Sequence, residues 1–440
     1  MKVTGIIAEY DPFHNGHSYH IKKAREMTGA DAIVVVMSGH FTQRGMPAFF
    51  SRDARVRMAV DGGADLVIEL PYIYACNSSH EFARGAAGIL NGIGCVDALV
   101  FGAETDDMDA LEKAARAAAG TDDRSSAYIK EEMKNGVSYP EALTRSVEKI
   151  YGAKTAAVLR EPNNLLGIEY MKALHELDSG IKPFIVGRRS AAHGESLEML
   201  RERKQRREPE NERDVCPCEG EVRQIAEQRI ASGTAVRKAV YAGGARAAEM
   251  LVPDTSFSII SGYERSSGFS FAEYRDKIKK NMFELLKYKI ITSDESELAE
   301  VYGVAEGLEN RLKSCISGAD DIDGLIDSVK SKRYTRARIS RTLMHLLINL
   351  RTTDFETLRE TYCARVLGFS PTGGKLLRLM SESSAIPVFS NLSRLDKRSP
   401  EAARVLKYDM RASDVYAMLY GSGDAPGRER RFVPYAAGRK

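Results

Sequence analysis

His14 and His17 stand three residues apart with Gly16 between them, in the segment Glu9-Tyr10-Asp11-Pro12-Phe13-His14-Asn15-Gly16-His17-Ser18-Tyr19-His20. The run before it, Val3 to Ala8, is mostly apolar, and Gly16 to Thr28 has a helical pattern. The pair therefore sits where a first strand hands over to a first helix. Imidazoles at this spacing converge on the first helical turn, where free backbone N–H groups and the helix dipole favour an anion. In that setting the pattern implies a seat for the α-phosphate of a nucleotide. Breaking ATP between its α- and β-phosphates demands in-line positioning and neutralisation of charge on the phosphoryl oxygens. Well-aimed donors such as His14 and His17 each contribute roughly 3 kcal/mol to that. Gly16 lets the backbone approach the ligand.

A second element has the same logic. Ser232-Gly233-Thr234 opens a helix that Gly243-Gly244 can end. Its hydroxyls suit the β- and γ-phosphates, and Arg237, with Lys238 beside it, can balance their charge. Gly102 ends a strand where adenine or ribose would approach. In Pro162-Asn163-Asn164 one Asn suits a helix cap, which leaves the other to meet a ligand. Either Arg188 or Arg189, after the last strand, is placed to reach phosphate. The polar loop Ser38-Gly39-His40-Phe41-Thr42-Gln43-Arg44-Gly45 reads as an acceptor-side wall, with His40 structural or touching substrate rather than a base.

These residues need a scaffold. Apolar runs at Val3–Ala8, Ala32–Met37, Leu66–Leu70, Ala98–Gly102 and Pro183–Val186 lack strict alternation and predict strands buried on both faces. Helical patterns at Gly16–Thr28, Arg52–Asp61, His80–Asn91 and Asn163–Leu177 separate them. The fold class is α/β: a Rossmann-like, doubly wound parallel sheet over residues 1–244, with ligands expected beyond the carboxyl ends of the strands. From 245 to 440 the patterns are mainly helical, at Phe271–Tyr288, Asp294–Cys315 and Arg336–Leu350, and predict a second, α-helical domain without further strand–helix alternation. Arg201–Asp214 carries six basic and five acidic residues around Pro209, and the stretch 201–221 reads as a solvated insertion.

Composition narrows the class further. At 440 residues the chain exceeds one compact core, and 43% hydrophobic with 28% charged residues is ordinary for a soluble protein. No run is long enough for a membrane span and no signal-peptide pattern opens the chain, which predicts a cytoplasmic protein. Six cysteines make no disulfide scaffold, and Cys216-Pro-Cys218 alone is a poor zinc signature. No acidic cluster suggests a metal cage; Mg2+ held by ATP phosphates and water leaves no such mark. The net charge of +3 decides nothing, but its distribution does. Residues 331–351 carry six Lys/Arg and no acid, and 425–440 five against one Glu. Lys332, Arg333, Arg336, Arg338 and Arg341 are candidate contacts for a polyanion, with Leu343, Leu346, Leu347 and Leu350 free to dock the helix.

As a set, His14-Asn-Gly-His17 and Ser232-Gly-Thr-x-x-Arg237 resemble the paired signatures of the HxGH nucleotidyltransferase superfamily. Glu9 through His17, Met37-Ser-Gly-His-Phe-Thr-Gln-Arg-Gly45, Asp65-Leu-Val-Ile-Glu-Leu-Pro71, Phe101-Gly-Ala-Glu104 and Pro162-Asn-Asn-Leu-Leu-Gly167 resemble the bacterial tRNA(Met) cytidine acetate ligases. The likeness runs from Met1 to about Val240, and Lys332–Arg338 is similar to that family's helical region. It implies that acetate attacks ATP to give acetyl-adenylate, and that the acetyl group passes to N4 of the wobble cytidine of elongator tRNA(Met). Carried over by position, the ATP contacts are Ile7, Ala8, Glu9, Tyr10, Asp11, Pro12, Phe13, His14, Asn15, Gly16, His17, Ser18, Tyr19, His20, Gly102, Asn163 and Arg188. Asp11 and His40 stand where the family usually has Asn, and Met46 where Glu is common. The alternative is a nucleotidylyltransferase for a small phosphorylated cofactor precursor, which leaves the basic helical region without a purpose. A non-enzymatic RNA-binding protein with the same fold is the third reading.

Overall fold

A computed structural model describes residues 1–187, 231–267, 270–331, 334–390, 392, 399–421 and 427–438. Five parallel strands form its centre: β1 (Val3–Ala8), β2 (Ala32–Ser38), β3 (Leu66–Leu70), β4 (Ala98–Ala103) and β5 (Lys182–Gly187). Three more, β6 (Ala364–Phe369), β7 (Val388–Phe389) and β8 (Tyr435–Ala436), complete one sheet in the order β5-β4-β1-β2-β3-β6-β7, with β8 also on β6. Strand β2 shows why the runs do not alternate in polarity. Val34 and Val36 join the core on one face and Ile33, Val35 and Met37 the core on the other, so every side chain is buried. Reversal of strand order at β1 opens the carboxyl-end crevice in which such sheets bind ligands.

The helix α1 (Asn15–Thr28) follows β1, and α2 (Arg52–Asp61) precedes β3. The helix Pro162–Glu176 packs on β4, where Gly167 leaves no room for a side chain against Phe101. Three helices, Met108–Ala119, Asp123–Lys134 and Tyr139–Tyr151, fill the interval between β4 and β5 that sequence patterning left unassigned.

Two expectations are corrected. The strands do not end in the first half: β6 returns from the helical region and pairs antiparallel with β3, so the sheet is mostly rather than wholly parallel. Arg365 interrupts the apolar pattern of β6 and hid it, because its charge is met only in the fold, by Glu69 opposite on β3. The span Asp294–Cys315 is two helices, Glu295–Ala299 and Leu308–Ile316. Gly303 and Gly307 between them have positive φ, a conformation glycine adopts freely and a helix cannot contain.

Candidate active site

His14 is the N-cap of α1, in extended conformation, and its Nδ1 accepts the Gly16 N–H at 3.1 Å. His17 reaches back so that its Nδ1 accepts the His14 N–H at 3.3 Å. The two side chains thus close a reciprocal cap made of imidazoles, with rings stacked 3.7 Å apart. A nitrogen that accepts a backbone N–H carries no proton, so the remaining proton of each neutral ring lies on Nε2. Both histidines are thereby held in the tautomer that donates from Nε2.

This geometry corrects the source of the anion-binding donors. The Asn15 N–H goes to the Leu251 carbonyl, Gly16 to His14 Nδ1, and His17 and Ser18 to the His14 carbonyl. The first-turn amides are therefore bonded within the protein. Tyr10 and Phe13, both buried, bracket the His17 ring at 4.6 and 5.6 Å. Tyr10 has φ +50°, a conformation that costs a non-glycine residue about 1 kcal/mol and is kept here by its buried packing. The aromatic bracket was missed in the sequence, although two aromatics seven and four positions before His17 are a readable signal.

The second element lies against the first. Ser232 caps the helix Gly233–Gly243 through the Ala235 N–H. A Cβ on Gly233 would stand 3.4 Å from the Asp11 carbonyl oxygen and 3.9 Å from His14 Cδ2. Arg237 donates to the Asp11 carbonyl and to Thr234 Oγ1, and its Nη1 lies 3.5 Å from Asp11 Oδ2. Asp11 is held in turn, its Oδ1 accepting the Phe49 N–H at 2.8 Å. Residues more than two hundred positions apart in the chain thus share one surface.

The remaining candidates fall around it. Ile7 and Ala8 end β1, Pro12 is buried beside Phe13, and Ser18, Tyr19 and His20 continue α1. Gly102 is near the end of β4. Asn163 donates to Glu104, whose carboxylate also takes the Asn164 N–H at 3.0 Å. Glu104, not an Asn, caps that helix from the adjoining loop. Asn164 is buried and accepts the Glu104 and Thr105 N–H groups, a structural role. Arg188, Arg189 and the stretch 201–221, with Cys216 and Cys218, lie outside the described residues. Among the described residues, no three His, Cys, Asp or Glu are grouped to hold a metal ion, and no helix is long and apolar enough to cross a membrane.

Glu9 joins this site to the loop Ser38–Gly45. Its Oε1 accepts the Gln43 N–H at 2.7 Å, and loss of solvent raises its pKa above the usual carboxylate value. Arg55, fully buried, donates to the carbonyls of Glu9, Ser38, Gly39 and Phe50, pinning the ends of β1 and β2 together. The other side of the loop meets the basic helix Arg336–Ile348. The Gly45 backbone packs on that of Arg341, leaving no room for a Cβ, and Arg341 Nη1 donates to the Gln43 carbonyl at 3.4 Å.

The polyanion candidates are not equivalent. Arg336 is ion-paired with Asp323 and Asp327, and the half-buried Arg338 lies over the ring of the buried Tyr334. Lys332 and Arg333 lie outside the described residues. Leu343, Leu346 and Leu350 are buried and dock the helix, with Arg336 exposed, Arg338 half-buried and Arg341 turned to the Ser38–Gly45 loop.

A family model described as HIGH Nucleotidyl Transferase matches residues 1–202 and 219–429. It passes over 203–218, inside the charged stretch read as an insertion. The tRNA(Met) cytidine acetate ligase of Clostridium perfringens is 32% identical over 429 residues, covering 95% of this chain and 96% of that protein. The protein of the same name from Halothermothrix orenii is 33% identical over 441 residues, covering 96% and 95%. A crystal structure of Thermotoga maritima TmcAL bound with alpha-thio ATP superposes with a TM-score of 0.82 at 27% identity, over 99% of both chains. The chain belongs to the HIGH nucleotidyl transferase family, among the tRNA(Met) cytidine acetate ligases.

Proposed function

We propose that this chain is an ATP-dependent acetate ligase acting on the wobble cytidine of elongator tRNA(Met). An acetate oxygen attacks the α-phosphorus of ATP, the bond to the β-phosphate oxygen breaks, and pyrophosphate leaves acetyl-adenylate. The N4 amine of cytidine then attacks the acetyl carbon, and AMP and a proton depart with N4-acetylcytidine formed. The observation that carries this reading is the locked pair His14 and His17 beside Gly233, Thr234 and Arg237. Two Nε2–H donors and one guanidinium are what charge building on an α-phosphate and a leaving pyrophosphate requires. Arg237, Ser232 and Thr234 are assigned to the outer phosphates, and the strand-end residues Gly102 and Asn163 to the nucleoside. Mg2+ held by the ATP phosphates and water would supply further charge neutralisation without a protein cage.

The proposed division of labour gives nucleotide chemistry to residues 1–244 and RNA docking to 245–440, through Arg338, Arg341 and the neighbouring Lys332 and Arg333. A cytoplasmic location accords with both substrates. The test is incubation of the protein with ATP, acetate and total tRNA. AMP and pyrophosphate release that depends on acetate, with N4-acetylcytidine in the hydrolysed RNA, is the expected result. Label from acetate on protein, or on no RNA, overturns it.

A further inference from the structure

Beyond the carboxyl ends of β2 and β3 lies a cavity of about 120 Å³ that the adenylation chemistry does not use. Its walls are flat rings. Tyr416 and Tyr420, on the helix Pro400–Tyr420, stack at 4.1 Å, the His40 ring lies 4.8 Å from Tyr416, and Tyr263 and Tyr274 close the far side. Behind the rings is a buried charge cluster. Glu429 accepts from Arg52 at 2.8 Å and from Arg365, while Glu69 pairs with the same two arginines. Burial penalises the Glu429 carboxylate, but Arg52, His40 and Arg365 together hold it ionised.

His40 is 8% exposed and lines this cavity. Its Nε2 lies 3.5 Å from Glu429 Oε1, and among the described residues neither ring nitrogen has a hydrogen-bond partner. Burial keeps the ring neutral, against the pull of Glu429. With the proton on Nε2 toward the carboxylate, Nδ1 is a buried acceptor lacking a donor. A polar atom left so is costly, which points to a ligand that supplies an N–H. Asp414 also lines the cavity, as does Asp53, which is ion-paired with Arg52 and Arg428. Arg57 and Arg431 are exposed along an adjoining groove, beside Arg428, which is ion-paired with Asp53.

We infer that this cavity takes a cytosine turned out of single-stranded RNA, its exocyclic amine donating to His40 and its backbone phosphates lying along Arg57 and Arg431. Aromatic stacking of an unstacked base, an acceptor for its amine and a basic track for its phosphates are the ordinary means of reading single-stranded RNA. The inference rests on the RNA-directed reading above and goes further, by giving base selection to a site on the β2–β3 side of the sheet. The cytosine is either the acceptor itself or a neighbour in the same strand.

Short oligocytidylate and oligouridylate, titrated at one fixed salt concentration, test it. The expected result is a preference for oligocytidylate of about tenfold that disappears in His40→Phe, which keeps a ring but no acceptor. In His40→Asn, whose amide oxygen can accept, part of the preference should survive. Equal binding of the two oligomers by the wild-type protein, or an undiminished preference in His40→Phe, overturns the inference and leaves the cavity to water. With total tRNA, acetyl transfer falling relative to acetate-dependent pyrophosphate exchange in His40→Phe assigns the pocket to the acceptor base. Transfer keeping pace with exchange while the preference is lost assigns it to a neighbour. Failure of exchange in the wild-type protein is a separate result and strikes the ligase reading instead.

Discussion

The His14 and His17 rings stack 3.7 Å apart because each is tied through Nδ1 to the backbone of the helix start they share. The cap and the proposed phosphate donors are therefore the same two side chains. A cap contributes about 1 kcal/mol to stability, whereas a donor aimed at a transition state is worth roughly 3 kcal/mol. The two roles separate experimentally.

His14→Ala loses both. The expected outcome is about 1 kcal/mol of destabilisation and a fall of about 100-fold or more in acetate-dependent ATP–pyrophosphate exchange. His14→Asn keeps a capping oxygen, since Asn is among the preferred N-cap residues, but has no Nε2–H. Its thermal midpoint should stay near that of the wild-type protein while exchange remains as low as in the alanine variant. Recovery of exchange in His14→Asn would mean that the imidazole serves as a cap alone. tRNA affinity should hold in both variants.

Asp11 restrains Arg237. Its carbonyl and carboxylate both face that guanidinium, which the proposed chemistry assigns to the phosphates. An amide at position 11 still accepts the Phe49 N–H but no longer neutralises the arginine. Asp11→Asn should therefore lower KM for ATP by about threefold, the scale of a partly exposed ion pair. Its kcat should change little. A raised KM would place Asp11 on the side of nucleotide binding rather than opposed to it.

What could be read in the sequence was local. Strands β1 and β3 match the apolar runs residue for residue, since a strand buried on both faces needs no partner to declare itself. The histidine motif and the Ser232 cap were legible because spacing alone places such groups on a helix start. The Arg52–Glu69–Arg365–Glu429 cluster was not legible. Arginines within α2 and β6 read as breaks in an apolar pattern until acids hundreds of residues away meet them. Nor could spacing show that the amides of α1 are already bonded, because the acceptor for Asn15 is Leu251.

The basic helix makes a sharper prediction than a count of its charges. Arg336 is held by Asp323 and Asp327, so its charge is largely cancelled before any RNA arrives. Arg338 is half-buried over Tyr334 and has no acid within ion-pairing distance among the described residues. Arg338→Ala should weaken tRNA binding at low salt and reduce the slope of log affinity against log salt by about one. Arg336→Ala should leave that slope nearly unchanged. Titrations at several salt concentrations decide it, and equal slopes for the two variants would remove the helix from the RNA surface.

His345 sets a limit on acid stability. It lies buried on the same helix, its Nδ1 3.1 Å from the Tyr72 hydroxyl, and burial together with the Arg341 charge lowers its pKa to about 3. An unfolded chain protonates this histidine near pH 6.5, whereas the folded chain does not until about pH 3. Stability is thus full above pH 6.5 and falls as the pH drops toward 3, because only the unfolded state takes up the proton. The loss from this residue is about 1.4 kcal/mol at pH 5.5. His345→Gln can still bond Tyr72 but does not titrate. Urea unfolding of both proteins between pH 8 and pH 5 should show the variant losing less stability on acidification, by about 2 kcal/mol at pH 5. His40, also held neutral by burial, acts in the same direction in both proteins and cancels from the comparison. Parallel stability curves would mean that His345 is protonated in the folded state over this range and that its pocket admits the charge.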